Sequence, residues 1–186
     1  MLIEQMVQRL HAEEGFQSAI RVVLNDAVAL HGAEFGNVQL AADDYLVIVA
    51  QRGFRTPFLD AFRRIRADTG TSCGRALRER RTVVIRDIEL DEGYAAYRSV
   101  IRAVGCRSVT STPLLTSNNV VIGVVSTAFV NVHEPTCIEI KTLDSYGKVA
   151  ADHLHRVLAG QPLKQTALVI SERLYQSVGR EGARSL

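Results

Sequence analysis

The chain has 186 residues, 47% of them hydrophobic, and a formal net charge of +2. That length supports one domain with a sizeable core plus helical extensions. No apolar run approaches the ~20 residues that span a bilayer, and the acidic, amphipathic start MLIEQMVQRLHAEE is not a secretion signal. The three cysteines lie far apart in the sequence, which fits free thiols in a reducing compartment and places the protein in the cytoplasm. Charge is unevenly spread: residues 1–50 carry two basic and seven acidic side chains, residues 51–107 carry 13 arginines against seven acids, and the remainder seven against six. The positive middle segment can attract an anion, or form a solvated surface facing the acidic first segment. It lacks the interleaved aromatics of a single-strand binder, so neither a nucleic acid nor a membrane is an expected partner.

In chain order, Ile3, Met6, Val7 and Leu10 fall at helical spacing, and Phe16, Ile20, Val23, Leu24, Ala27 and Leu30 continue the stripe past Gly15. This predicts two helices, or one interrupted near Gly15, ending at a left-handed Gly32 cap. Phe35–Leu40 alternates polar Asn37 and Gln39 with Val38 and Leu40, the period of a half-buried strand. After a turn at Ala41–Asp44, Tyr45–Ala50 is apolar throughout and reads as a central strand. Pro57 suits the first turn of a helix whose apolar face is Phe58, Leu59, Phe62 and Ile65.

The stretch GTSCGRALRERRTVVIRDI, from Gly70 to Ile88, is the most informative. Thr71 and Ser72 are good N-cap residues for a short helix with Cys73, Ala76 and Leu77 on its apolar stripe. Arginines fill its last turn, and the β-branched run Thr82–Ile85 predicts a buried strand directly after it. Asp91 caps a helix carrying Tyr94, Tyr97, Ile101 and Val104 on one face, with Gly105 at its end. Arg107–Leu115 and Val120–Val130 form a hairpin around Asn118-Asn119, which suits a primed turn; Gly123 marks a close approach or a bulge. Pro135 opens a long helix, broken at Gly160 and Pro162, and Leu163, Ala167, Ile170, Leu174 and Val178 give a final amphipathic helix before a mobile tail, GREGARSL. The result is an α+β layout, an antiparallel sheet of about five or six strands with helices on both faces.

Four ordered blocks, GTSCGRAL, VVIRDI, GCRSVTSTPLL and VIGVVST, resemble the GAF domain, of the type found beside bacterial histidine kinases. The resemblance runs from about Gly15 to Leu158. It implies an N-terminal helical extension over 1–14, a GAF-like domain over 15–158, and a C-terminal helix and tail over 159–186. It also implies that the long terminal helices pack together on one side of the sheet, with a small-molecule pocket on the other.

For that pocket, the expected walls are Cys73, Asp87, Tyr97, Thr110 and Thr112. Cys73 stands at a helix start, where the dipole favours thiolate, so it is a ligand-contacting or redox-sensitive thiol, or else a small buried residue. Thr110 and Thr112 share one strand face with Ser108, while Ser111 lies on the other. With Ser126 and Thr127 they can donate to a polar ligand, or satisfy one another across strands. Arg86 and Arg107 can neutralise an anion at the rim, and Tyr94 and Tyr97 can cover the site or serve as core.

The resemblance also brings in enzymes. Free methionine sulfoxide reductases use this fold with an attacking and a resolving thiol, and Cys73 matches one of their cysteine positions. Their catalytic segment here reads ELDEGYAAYRSVIRAV, with no cysteine before Cys106. No histidine lies between His31 and His133, so a bilin site is not supported. The five histidines show no metal-ligand spacing, and the cyclic-nucleotide signature of the family is absent. The resulting expectation is a non-catalytic sensory module whose cofactor is unassigned. It would form a homodimer through its terminal helices and act on a separate output protein, or be a piece of a longer chain. The alternatives are a thiol reductase and a ligand-free assembly module.

Overall fold

A computed structural model describes residues 2–183, with side chains described as far as Val178. The elements are α1 (Leu2–His11), α2 (Phe16–His31), β1 (Phe35–Ala42), β2 (Tyr45–Arg52), α3 (Thr56–Phe62), β3 (Arg64–Arg66), α4 (Ser72–Glu79), β4 (Val83–Ile85), α5 (Arg98–Val104), β5 (Ser108–Leu115), β6 (Val121–Phe129), α6 (Cys137–Val157) and α7 (Leu163–Ala183). Two short 3₁₀ helices, Ile88–Leu90 and Glu92–Tyr97, join β4 to α5 and are capped by the Asp87 and Asp91 carboxylates. The expected tail is helix through Ala183; residues 184–186 lie outside the described residues.

The six strands form one antiparallel sheet in the order β3-β2-β1-β6-β5-β4. Gly32 closes α2 in the left-handed region, at φ 59. Gly123 is the close approach: a Cβ there would lie 2.0 Å from the Gln39 carbonyl oxygen, so β6 and β1 meet backbone to backbone. The hairpin turn differs from expectation. A type I′ turn needs positive φ at both central residues and a type II′ turn at the first, whereas of Asn118 and Asn119 only the second has it, at φ 65. Thr116 O accepts from Asn119 N, which makes a wider loop ending in one left-handed residue.

Each face of the sheet carries its own core. On one, Val38, Leu40, Leu114, Ile122 and Val125 pack against α1, α2 and α6. On the other, Leu46, Ile48, Val109, Val124 and Ala128 pack against α3, α4, the 3₁₀ segment and α5. One sequence expectation changes: Ile65 belongs to β3 rather than to the Pro57 helix. β2 is an interior strand next to the short edge strand β3, and β4, at the other edge, is the buried strand expected after α4. The apolar stripe of α7 is also accounted for within the chain: Ala167 and Ile170 are buried in the first core, while Leu174, Tyr175 and Val178 pack against the second. No helix among the described residues is long and apolar enough to cross a membrane.

Candidate functional site

The site grows from the alternation in β1. Asn37 and Gln39 are only 6% and 2% exposed, so their positions face the second core rather than water. On the neighbouring strand, Ser126 is the register partner of Asn37, and Ser111 is the register partner of Ser126 on the next. A row of small and amide side chains leaves space below the helices that cover it. The hollow there has a volume of ≈ 30 Å³. Asn37, Gln39 and Ser126 form its polar floor, Ser72 and Cys73 border it from α4, and Phe54, Phe58 and Phe62 wall one side. Cys106 also lines it. This is room for one or two waters.

Hydrogen bonds run from the helical cover to the floor. The Ser72 amide at the start of α4 donates to Tyr94 Oη at 3.1 Å, and Ser72 Oγ lies 2.7 Å from the same oxygen. Ser111 Oγ donates to Ser72 Oγ at 2.8 Å and lies 2.7 Å from Ser126 Oγ. The chain stops there: Asn37 Oδ1, buried, has no hydrogen-bond partner within the protein.

The cover is held by close contacts. Gly70 and Gly93 touch through their backbones, and a Cβ on Gly93 would lie 2.1 Å from the Gly70 carbonyl oxygen. Arg75 bonds Asp91 at 2.7 Å, tying α4 to the 3₁₀ segment. The three phenylalanines stack in sequence, with ring centroids 3.7 Å apart for Phe54–Phe58 and 4.6 Å for Phe58–Phe62.

The thiols of the hollow are not activated. Burial pushes the Cys73 thiol above its ordinary range, outweighing its contact with Thr71, and pushes Cys106 up to about 12. The dipole argument for a Cys73 thiolate therefore yields to desolvation. Burial likewise raises the Tyr94 phenol, keeping it neutral. Among the described residues no group of three His, Cys, Asp or Glu side chains can hold a metal ion.

Of the nine residues expected at the site, the structure brings three to the hollow: Cys73, Tyr94 and Ser126. Thr110 and Thr112 lie on the opposite face of the sheet. Thr110 is paired with Thr127, whose Oγ1 lies 2.8 Å from His31 Nδ1 on α2. Thr112 Oγ1 lies 2.8 Å from Thr82 Oγ1, and its methyl group faces Gly147 of α6. The strand face was read correctly and then assigned to the wrong layer; Ser111, set aside, lies on the hollow's side of the sheet and bonds Ser72 and Ser126. Asp87 and Arg107 form a two-pronged ion pair at 2.6 and 2.7 Å outside it, and Arg86 pairs with Glu134. Tyr97 packs on Phe62 at 4.8 Å without lining the hollow. Six of the 13 arginines of the middle segment pair within it, through Arg66–Asp68, Arg75–Asp91, Arg81–Glu79, Arg98–Glu92, Arg102–Glu89 and Arg107–Asp87, and Arg63 and Arg86 pair with Glu172 and Glu134 beyond it rather than with the acidic first segment. The residues missed were Asn37, Gln39, Ser72, Ser111 and the phenylalanine stack. The available signal was the amide pair at alternate positions of a strand in the middle of the sheet.

Comparison with known proteins agrees with this architecture. The GAF domain of a phosphoenolpyruvate-protein phosphotransferase from Coxiella burnetii superposes with a TM-score of 0.71 at 14% identity, covering 85% of this chain and 93% of that one. Free methionine-R-sulfoxide reductase from Neisseria meningitidis, solved with its substrate, gives 0.67 at 18% identity, covering 89% of each chain. A domain of a candidate two-component sensor histidine kinase from Sinorhizobium meliloti 1021 gives 0.63 at 15%, covering 76% of this chain and 92% of that one. At these identities the likeness is one of fold. No curated protein sequence matches the chain. The family model of the GAF domain matches residues 13–155, and this chain is therefore a member of the GAF domain family, whose fold recurs in sensory and regulatory proteins.

Proposed function

We propose that the chain is a non-catalytic, cytoplasmic regulatory module that binds a small molecule in the hollow beneath α3 and α4 and signals through its terminal helices. The observation that carries this reading is the double role of α3. Phe58 and Phe62 wall the hollow, while Asp60 on the same helix and Arg63 at its C-terminal cap hold α7. Tyr175 Oη donates to Asp60, Arg63 pairs with Glu172, and the Arg63 guanidinium lies 4.3 Å over the Tyr175 ring. A guest that moves α3 therefore moves α7, provided it binds the two poses with different affinity. Hydrogen exchange over residues 56–62 and 163–178, with and without a bound metabolite, tests this. Protection changing in both segments supports the reading. No binder in a metabolite panel leaves an assembly module. A change confined to 56–62 removes the signalling route.

A homodimer through the terminal helices belongs to the same proposal. With the main α7 stripe buried in its own subunit, the dimer would rest on Leu2, Leu168 and Val169, which are exposed. A monomer by light scattering at micromolar concentration removes it.

One observation favours a second reading as a thiol reductase: Cys73 and Cys106 line the same hollow. That chemistry needs an attacking thiolate and a resolving thiol, and burial opposes thiolate at both positions. Turnover of free methionine sulfoxide with a thiol reductant, lost in Cys73→Ser or Cys106→Ser, would establish it, and no turnover rejects it.

A further inference from the structure

The lining of the hollow specifies more than a generic guest. It contains no charged side chain: the polar groups are amides, hydroxyls and thiols, and the rest is apolar. An ion entering it would lose its hydration without gaining a counter-charge, at a cost of several kcal/mol. The ion pairs Asp87–Arg107 and Arg86–Glu134 lie outside and are already satisfied by each other.

The protons of the serine chain fix the polarity of Ser126. A serine hydroxyl has one proton. Ser111 donates its proton to Ser72, so the 2.7 Å contact between Ser111 and Ser126 is donated by Ser126. Ser126 Oγ then meets the hollow only as an acceptor. Its register partner is Asn37, whose Oδ1 is buried without a partner. Side chains at opposed register positions stand about 5 Å apart at Cβ. Two acceptors thus stand at paired positions, within reach of one donor group, on a floor that also carries the Asn37 and Gln39 amide nitrogens and has the phenylalanine stack beside it.

We propose that the hollow takes a neutral, flat aromatic molecule bearing one hydroxyl or N–H donor. The donor is shared between Asn37 Oδ1 and Ser126 Oγ, and the ring lies against Phe54, Phe58 and Phe62, where ring–ring contact adds to burial. This rests on the reading of the hollow as the ligand site. The volume of ≈ 30 Å³ is below the about 150 Å³ that admits a benzene-sized ring, so α3 must swing outward on binding. It is suited to do so: it has seven residues, no side-chain N-cap, and Gly53 at φ 84 just before it.

The test uses the full chain at neutral pH and three probes of one ring size: phenol, anisole and benzoate. Affinities are read by calorimetry, with chemical-shift changes locating the site. The expected result is phenol binding about tenfold tighter than anisole, which lacks the donor. Benzoate should bind more than about a hundredfold weaker than phenol. Asn37→Leu should bring the phenol-to-anisole ratio close to one while anisole affinity is kept, and Ser126→Ala provides a second variant should the first not fold. Benzoate binding as well as phenol, anisole matching phenol in the native chain, or an unchanged ratio in both variants overturns the neutral-donor assignment and leaves the hollow standing as a ligand site. Absence of binding by all three probes overturns the ligand-site reading together with it.

Discussion

The two faces of the sheet are built to different standards of completeness. On one face, the long helices α1, α2 and α6 enclose a core in which a buried carboxylate is paired from two sides, although His31 Nε2 on α2 has no partner within the protein. Asp26, 6% exposed, accepts from Arg9 at 2.6 Å and from Tyr146 at 2.7 Å, so three helices are tied at one carboxylate. On the other face, helices of seven or eight residues cover the sheet, and beneath them remain a small hollow and an amide oxygen with no partner. The first arrangement holds the fold. The second gives up packing where a guest can restore it, as expected when a site is set in the less stable part of a domain.

That contrast predicts unequal costs for comparable cuts. Leu114 is fully buried in the first core, and Leu114→Ala should lower unfolding free energy by about 3 kcal/mol in denaturant titration. Phe58→Ala removes more atoms but borders the hollow, under a short helix free to settle. Its loss should be about 2 kcal/mol, below the usual range for a buried phenylalanine. A larger loss at Phe58 than at Leu114 would erase the distinction between the faces. Asp26→Ala should come next at about 2 kcal/mol, mostly from the stranded Tyr146 hydroxyl, since Arg9 is half exposed and can be hydrated. The change should also raise hydrogen exchange in α1, which the Arg9 contact anchors.

The pH dependence should follow the first face too. Burial lowers the pKa of His31 and of His153 from the ordinary 6.5. A histidine depressed in the folded state contributes stability that is complete above 6.5 and is lost as pH falls toward its folded value, because the unfolded chain takes the proton more readily. The thermal midpoint should therefore drop between about pH 7 and pH 5. Replacing both histidines with glutamine should flatten this slope, whereas Cys73→Ser, on the other face, should leave it unchanged. The carboxylates lowered by ion pairing, such as Asp87 and Glu89, lose their contribution only at lower pH.

The same division governs how much was legible in the sequence. The long helices, the β5–β6 hairpin and the left-handed caps at Gly32 and Gly105 follow from apolar spacing and turn residues, because each element is long enough to show its period. The three-residue strand β3 and the 3₁₀ segment are too short to show one, although the equally short β4 was marked by its β-branched run; Ile65 was therefore placed on a helix when it lies on β3. The site was harder for a different reason. Alternation tells which residues share a face and does not tell which layer covers that face. Thr110 and Thr112 were grouped correctly and sent to the wrong side, and Asn37 and Gln39 matched a solvent-facing pattern although both are buried. Polar residues facing a hollow and polar residues facing water leave the same trace in a sequence.

The smallest expected effect is also the most direct test. Asn37→Leu replaces an unpaired buried amide with an apolar group of similar size. In the absence of any guest it should leave stability unchanged or raise it by about 1 kcal/mol, measured by denaturant unfolding. A loss of more than about 2 kcal/mol would mean that the amide is an ordinary satisfied part of the core. The hollow would then be one more packed region of the fold, with no guest to await.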